Sequence, residues 1–593
     1  MRARIQVWLA FISLVFAVGC ETQRGVQQQS LGDSPKVYAL PEGLHAEGQY
    51  RPGVDPFQYP LIEVFLHNRT DKAIEWKRAL LNGSEVQMLT NGVVWFQFYP
   101  TEKAAPNQTI ELQINLKSNP MTPQTIEAET KDGQTVKVTL PQFSVPRVRL
   151  EAVTFRSDFK KAFIAYNVSG HGDNVESGFP KVAVNGSDVS VGVRVLCEPR
   201  RRQTTRLVKP CKECKPVAEY EPGLLSVELP ERSSQGQPFH MRLEFKDGTI
   251  AQALLRAYKG LFLDAFGVDE KNQKLRKQLR LDAHPFGRLL NCDPACSDTS
   301  QGNKVGASMP SILATRKAWW SESDDRLSHV FLCTSATLNT HYSVYGQCMD
   351  AVQVNPYRLG WGDSSKFIED EENYFRWGRA ASEPRPWFWI PEAWAVRKRI
   401  LEPEELRLLV YTALGHGVKG INYFTHSYDG PSPATGFDRS PRLLAEVKRI
   451  NQEIKRNERI FSESIPISEK TTGADTDGVR VYTLCAGEDG LLVILKNLDY
   501  GPTSREPNLP STRSAFKCRP KTNLRIEISK PAWFHSIKQA DGTRTVSASS
   551  LITGKSVRVF VKERTIEFDI RAISLVVVEA LFIPNGKVTG GKL

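Results

Sequence analysis

From Pro386 to Gly430 the chain reads PWFWIPEAWAVRKRILEPEELRLLVYTALGHGVKGINYFTHSYDG, and the order of elements in this stretch limits the fold more than anything else in the sequence. Trp387-Phe388-Trp389-Ile390 is a short apolar run that stops at Pro391, a buried strand by length and composition. A helix is predicted after it, with Pro403 in the first turn and Glu404 and Glu405 where the N-terminal dipole favours carboxylates. Leu406, Leu409, Val410, Ala413 and Leu414 give this helix one apolar face at the 3.6-residue period. Gly417 is placed to end it, and Gly420 leads into a second apolar strand, Ile421 to Phe424. Two parallel strands joined by a helix bring their C-terminal ends to one rim, where a barrel keeps its chemistry. Glu392 falls at the end of the first of these strands.

A chain of 593 residues is too long for one core. Residues 36–145 and 146–257 read as two β-sandwiches of immunoglobulin-like type, from short strands such as Leu61–Leu66, Val93–Tyr99, Ile110–Leu116 and Met241–Phe245 separated by turn signals. Between residues 258 and 460 strands alternate with helices, which argues for a parallel sheet. Six strand–helix units can be counted in these roughly 200 residues, so the expected (β/α)8 TIM-type barrel is at its lower size limit and a shortened form is open. Residues 461–593 return to a β pattern, a C-terminal β-sandwich.

The N-terminus reads as an export signal. Arg2 and Arg4 precede an apolar run from Val7 to Val18, too short for a mature membrane span. Ala17-Val18-Gly19 before Cys20 is similar to a bacterial lipoprotein signal: residues 1–19 would be removed, Cys20 lipidated, and residues 20–35 left as a polar tether. Ala17 replaces the usual leucine, which keeps ordinary secretory cleavage as the alternative. Glu21 differs from the aspartate associated with inner-membrane retention, so an exported, membrane-anchored lipoprotein of the outer membrane or periplasm is expected.

Cleavage would remove two arginines and no acid, taking the formal net charge from +12 to +10. Much of it sits in Arg200, Arg201, Arg202, Arg206, Lys209, Lys212 and Lys215, a cluster that a solvated loop explains as well as an anionic partner does. An exported chain without a nucleic-acid motif gives no reason to expect nucleic acid as a partner. Nine cysteines follow Cys20. Cys197, Cys211 and Cys214 could hold zinc, but a single CxxC is a weak signal. Disulfides such as Cys292–Cys296, Cys333–Cys348 and Cys485–Cys518 are the stronger expectation for an exported protein. Nucleotide loops, HExxH and GxSxG are absent, so no cofactor and no metal are expected.

Hydrolysis of a glycosidic bond takes two carboxyl groups on one rim, one acid and one nucleophile or base. Glu392 supplies one. Asp293 or Asp298, in Asn291-Cys-Asp-Pro-Ala-Cys-Ser-Asp298 after the strand Arg288–Cys292, would supply the other. Seven of the 11 tryptophans lie between Trp319 and Trp394. Trp387 and Trp389 read as core, whereas Trp361, in the loop Gly360-Trp-Gly-Asp363, could present its face to a sugar ring. Tyr357, Asp350, Tyr423 and His426 complete the expected substrate-binding set, and His341 and His416 read as structural.

The segments Ala413-Leu-Gly-His-Gly-Val-Lys-Gly-Ile-Asn-Tyr-Phe424 and Asp350-Ala-Val-Gln-Val-Asn-Pro-Tyr357, together with the domain order, resemble the multidomain bacterial glycoside hydrolases of the retaining (β/α)8 clan, β-galactosidase-like members in particular. The resemblance implies that Glu392 stands where the nucleophile follows strand seven. The clan places its acid/base glutamate after an asparagine; this chain has Asn291-Cys292-Asp293 there, which is shorter and displaced. Two functions follow as expectations: an exported glycosidase acting on a poly- or oligosaccharide, or a non-catalytic glycan-binding or assembly lipoprotein on a degenerate glycosidase scaffold.

Overall fold

The computed structural model describes residues 42–54, 59–89, 92–168, 180–202, 219–230, 235–283, 287–290, 309–321, 326–333, 340–356, 367–395, 400–427, 435–473, 478–501, 516–522, 524–535, 545–569 and 575–586. Cys20, Asp293, Asp298, Tyr357, Trp361, Cys211, Cys214 and the signal and tether lie outside these residues.

The chain is largely β and multidomain. Its first β-domain has two antiparallel sheets. One runs in the order Gly43–Arg51, Leu61–Arg69, Thr109–Leu116, Val93–Tyr99; the other in the order Ser84–Glu85, Ile74–Leu81, Gln124–Thr130, Thr135–Leu140. Alternating side chains such as Ile62, Val64, Leu66, Trp76 and Leu112 meet between them in one core. The second β-domain repeats the plan. Val148–Phe155, Lys161–Val168, Gly223–Glu228 and Val193–Cys197 form one sheet; Ser187–Asp188, Lys181–Val184, Pro238–Glu244 and Ile250–Arg256 form the other. At the C-terminus, eight antiparallel strands from Ser464–Thr472 to Val578–Pro584 make one continuous sheet. Its two ends share a core: Val479 and Val481 pack in the same cluster as Ile526, Ile528, Ile566 and Phe568, so the sheet folds over on itself.

Between these lies a parallel sheet of six strands, Phe262–Ala265, Gly287–Leu290, Leu327–Cys333, Ala351–Asn355, Trp387–Trp389 and Gly420–Tyr423. The second to sixth strands are neighbours in chain order, and the sixth pairs with the first. The expectation of eight units is not met among the described residues: six strands are present, and none of the described pairings joins the first strand to the second.

Local chemistry explains the elements that frame the candidate site. Helix Pro403–Gly415 starts with proline at its first position and a reciprocal cap, Glu402 with Glu405, and ends before Gly417 at φ +80°. Strand Trp387–Trp389 alternates faces. Trp387 and Trp389 turn outward onto Phe375 of helix Phe367–Ser382, with ring centroids 5.6 and 5.1 Å away, and Trp389 Nε1 donates to Glu371 Oε1 at 3.0 Å. Phe388 and Ile390 turn to the other face, where they meet His329 and Phe262, and Phe331, respectively.

The periodicity predicts a one-sided helix at Pro403–Gly415, yet every residue from Glu405 to Gly415 is buried. The helix shares one core with the parallel sheet, and helices Phe367–Ser382 and Pro441–Arg456 and the C-terminal sheet, with Leu492, Ile494, Ala580 and Phe582, pack around it. Arg407 faces helix Pro441–Arg456, where Glu446 and both oxygens of Glu453, at 2.8 and 3.1 Å, neutralise it.

Candidate active site

The C-terminal ends of the six strands define one rim, and Glu392 lies on it. The ladder continues past strand Trp387–Trp389: Ile390 N donates to Val354 O at 2.8 Å, Phe424 N to Pro391 O at 3.1 Å and Ala393 N to Phe424 O at 2.7 Å. Glu392 therefore sits in a parallel bridge with Phe424, the residue that follows strand Gly420–Tyr423. It is only 2% exposed, so its carboxyl group is held in an environment largely shielded from bulk water. Trp394 packs edge-on against Phe424, ring centroids 5.2 Å apart, and Trp394–Ala395 pairs with Thr435–Gly436 to cover this side of the rim.

His426 follows the end of strand Gly420–Tyr423 on the same rim. Its N–H donates to Phe266 O at 2.9 Å, its carbonyl accepts from Asp438 N at 3.0 Å, and its ring stands edge-on to Phe437 at 5.2 Å. Burial holds its imidazole below the ordinary histidine value, with Asp438 acting in the opposite direction. Thr425 Oγ1 ties the same turn to Phe266 O and Ser427 O at 2.9 and 3.0 Å. Asn355, buried at the end of strand Ala351–Asn355, and Asp438 belong to the rim and were not singled out in the sequence. Asn355 had a legible signal, since it ends the apolar run that Asp350 begins.

Beneath the rim a small apolar cluster interrupts an inner face that also carries His329, Gln353 and Asn422. Phe331 and Ile390 form a buried pair against which Phe266 and Phe424 pack, the latter two rings 5.2 Å apart.

Two expected rim residues lie elsewhere. Asp350 precedes strand Ala351–Asn355 and so stands at the opposite end of the sheet. It accepts from Ser328 N and Oγ at 2.6 Å each, from Tyr99 Oη at 2.8 Å and from Arg256 Nη1 at 3.4 Å. Burial pushes this carboxyl group up, but Arg256, Ser328 and Tyr99 outweigh it and hold the group below the usual range. Asp350 thus seats the first β-domain on the base of the parallel sheet. Tyr423 points outward: its hydroxyl donates to Asn451 Oδ1 at 2.8 Å on helix Pro441–Arg456, and its side chain is fully buried. The alternation of strand Gly420–Tyr423 gives the inner face to Asn422 instead.

Arg385, which precedes the strand Trp387–Trp389, is also at the base. It donates to the carbonyls of Gln347 and Met349 at 2.8 and 2.9 Å and to Glu111 Oε2 at 3.3 Å. One expected disulfide is absent: Cys485 and Cys518 are both free, the first in the core of the C-terminal sheet and the second against the core of the parallel sheet, so a bond between them would have to cross from one core to the other. The pairs Cys292–Cys296 and Cys333–Cys348 involve side chains outside the described residues.

One described group has the composition of a cation site. Ligand atoms of Glu372, His416 and Glu469 lie within 4.8 Å of one another. The charge a metal would supply is already there: Lys496, Arg376 and Arg480 each donate to Glu372, at 2.9, 3.0 and 3.0 Å. These residues do not fit a resident metal.

No family model matches the chain, and no curated protein matches its sequence. Solved structures to which it is similar include a glycoside hydrolase at 13% identity and TM-score 0.31, covering 46% of this chain and 60% of that one. A Thermotoga maritima α-fucosidase follows at 10% and 0.24, over 46% and 49% of the two chains. A Parabacteroides merdae β-glucuronidase aligns over 89% and 91% of the two chains at 8% identity and TM-score 0.22.

Proposed function

We propose that the chain is a glycoside-hydrolase-like protein that acts on a poly- or oligosaccharide at the rim of its parallel sheet. The observation that carries this reading is the position of Glu392: a carboxyl group 2% exposed, at the C-terminal end of a parallel strand, bridged to the end of the next. In this reading Glu392 is the nucleophile or base, Asp293 or Asp298 the acid, and His426 and Trp361 contact the sugar. Retention would require the two carboxyl groups about 5 Å apart. The central domain is then a shortened member of the (β/α) barrel class, the flanking domains are immunoglobulin-like sandwiches, and Cys20 anchors the mature protein at an outer-membrane or periplasmic surface.

A second reading, glycan binding or assembly without turnover, is favoured by a specific observation. Four apolar side chains, Phe331, Ile390, Phe266 and Phe424, pack together beneath the rim, and the Asn-Glu pair of active enzymes is replaced by Asn291-Cys292-Asp293.

A panel of aryl glycosides and oligosaccharides incubated with the parent and with Glu392→Gln separates the two. Turnover by the parent, reduced at least ~100-fold in the variant, supports hydrolysis. Binding that is equal in both, without product, supports the second reading.

A further inference from the structure

Beside a buried apolar cluster of Phe65, Tyr99 and Leu254, the contact between the first two β-domains has a polar part centred on Glu47. Arg242 Nε and Nη2 donate to its two oxygens at 3.0 Å each, and Gln252 Nε2 donates to it at 2.7 Å. Gln252 Oε1 is thereby turned toward His240, whose Nε2 lies 2.9 Å away. An amide oxygen only accepts, so His240 carries its proton on Nε2 and leaves Nδ1 as a bare nitrogen. That Nδ1 is buried without a hydrogen-bond partner. The backbone fixes the residue in place: His240 N donates to Asn185 Oδ1, and Asn185 N to His240 O, both at 2.8 Å.

The surroundings cannot take a positive charge on this ring. From strand Leu61–Arg69 come Phe65 and His67, with ring centroids 5.5 and 5.3 Å away, and Arg69, whose guanidinium lies against Gly186. Strand Gly43–Arg51 brings Glu47, already held by Arg242 and Gln252, and His45, which acts on His67. Beside His240 on its own strand, Arg242 also donates to Glu244. Burial, His67 and Arg69 press the His240 imidazole well below the ordinary histidine value, against Gln252. His67 differs: its Nε2 lies 3.5 Å from Glu47 Oε2, which can receive a proton-bearing nitrogen.

We propose that His240 is an acid sensor between the first two β-domains, protonation of Nδ1 driving their faces apart. The contact is intact when the ring is neutral. An imidazole whose folded value is depressed contributes stability above its unfolded value near 6.5, and that stability is lost as pH falls through the depressed value.

The test is small-angle scattering of the full chain from pH 7.5 to 4, compared with His240→Gln, whose amide keeps a donor for Gln252 but has no second basic nitrogen. The parent is expected to expand reversibly on acidification. The variant should stay compact to a pH about one unit lower or more. An unchanged midpoint in the variant, or a parent that remains compact while His240 titrates, overturns the proposal. Should the variant not fold, C2-hydrogen exchange of the parent read by mass spectrometry decides. His240 titrating well below 6.5 and in step with expansion supports the sensor; an ordinary value, or titration out of step, overturns it.

Discussion

Glu372 Oε2 and Lys496 Nζ meet 2.9 Å apart with their side chains 1% and 0% exposed, joining a helix of the parallel-sheet domain to the C-terminal sheet. Tyr482, Arg376, Arg480 and His416 also bond to Glu372, at 2.7 to 3.0 Å. Burial pushes this carboxyl group up, but Lys496, Arg376, His416 and Arg480 outweigh it and hold the group well below the usual range. The domains are therefore fastened by an ionic knot as well as by apolar packing.

Removing one partner from such a knot leaves a charge buried. Lys496→Met is expected to cost about 3 kcal/mol in chemical denaturation, and Glu372→Gln a similar amount. The double variant should cost clearly less than the two single losses added together, because neither charge is then left alone. Additive losses would show that the two residues act independently. Glu372 also contributes pH dependence: its folded value is depressed, so its stabilisation is present above about pH 4.5 and is lost as pH falls through the folded value.

Glu383 acts in the opposite sense. Burial pushes its carboxyl group up to about 7, with Glu151 reinforcing and Arg149, Arg379 and Arg51 opposing. The folded chain then holds this proton more tightly than the unfolded chain does, so stability falls as pH rises from about 4.5 to 7. Glu383→Gln should flatten that limb and gain on the parent by about 3 kcal/mol between pH 5 and 8. Denaturation curves with parallel pH dependence in parent and variant would exclude this.

Lys419 Nζ donates to the carbonyls of Phe461, Ser462 and Ser464 at 3.1, 2.9 and 2.7 Å, where helix Glu458–Glu463 passes into the C-terminal sheet. Burial lowers its ammonium to about 7, Glu463 opposing. The unfolded chain binds this proton more tightly from pH 7 to about 10.5, so stability rises with pH across that window. Lys419→Met is expected to cost about 1–3 kcal/mol, through the three carbonyls it leaves unpaired, and to remove that rise. Proteolysis of the parent and the variant at the junction, followed from pH 7 to 10, checks both.

Gly378 lies inside helix Phe367–Ser382, where alanine would ordinarily favour the helix by about 1 kcal/mol. Here a Cβ would fall against Val354 Cγ2 of the neighbouring strand, too close for contact. Gly378→Ala is therefore expected to destabilise, by about 1–3 kcal/mol in thermal or chemical denaturation. Paired with Val354→Ala, it should lose less than the sum of the two.

Much of the fold was legible because it rests on local rules. The helix at Pro403 begins at a proline with a reciprocal glutamate cap and ends before a glycine at positive φ, and both signals stand within a few residues of the sequence. The apolar runs at Trp387 and Gly420 predict the ends of their strands to within one residue, and Trp387 and Trp389 are core as expected. The position of Glu392 on the rim follows from the same reading, since parallel strands joined by a helix leave their C-terminal ends together.

What the sequence by itself determined is thus the element order, the helix ends and the end of the sheet on which Glu392 falls. These are set by period, caps and chain direction. Only the tertiary structure decided which partners each polar residue meets. Asp350 stands at the base because it precedes its strand, and Arg256 and Tyr99, from other domains, neutralise and bond it there; Tyr423 is turned outward by the alternation of its strand, and Asn451, on a helix 28 residues further on, receives its hydroxyl. The helix with one apolar face in its sequence is buried all round because two neighbouring helices and the C-terminal sheet cover its other sides. The physical reason is common to all three. The partners are distant in sequence, and a short-range pattern carries no record of them.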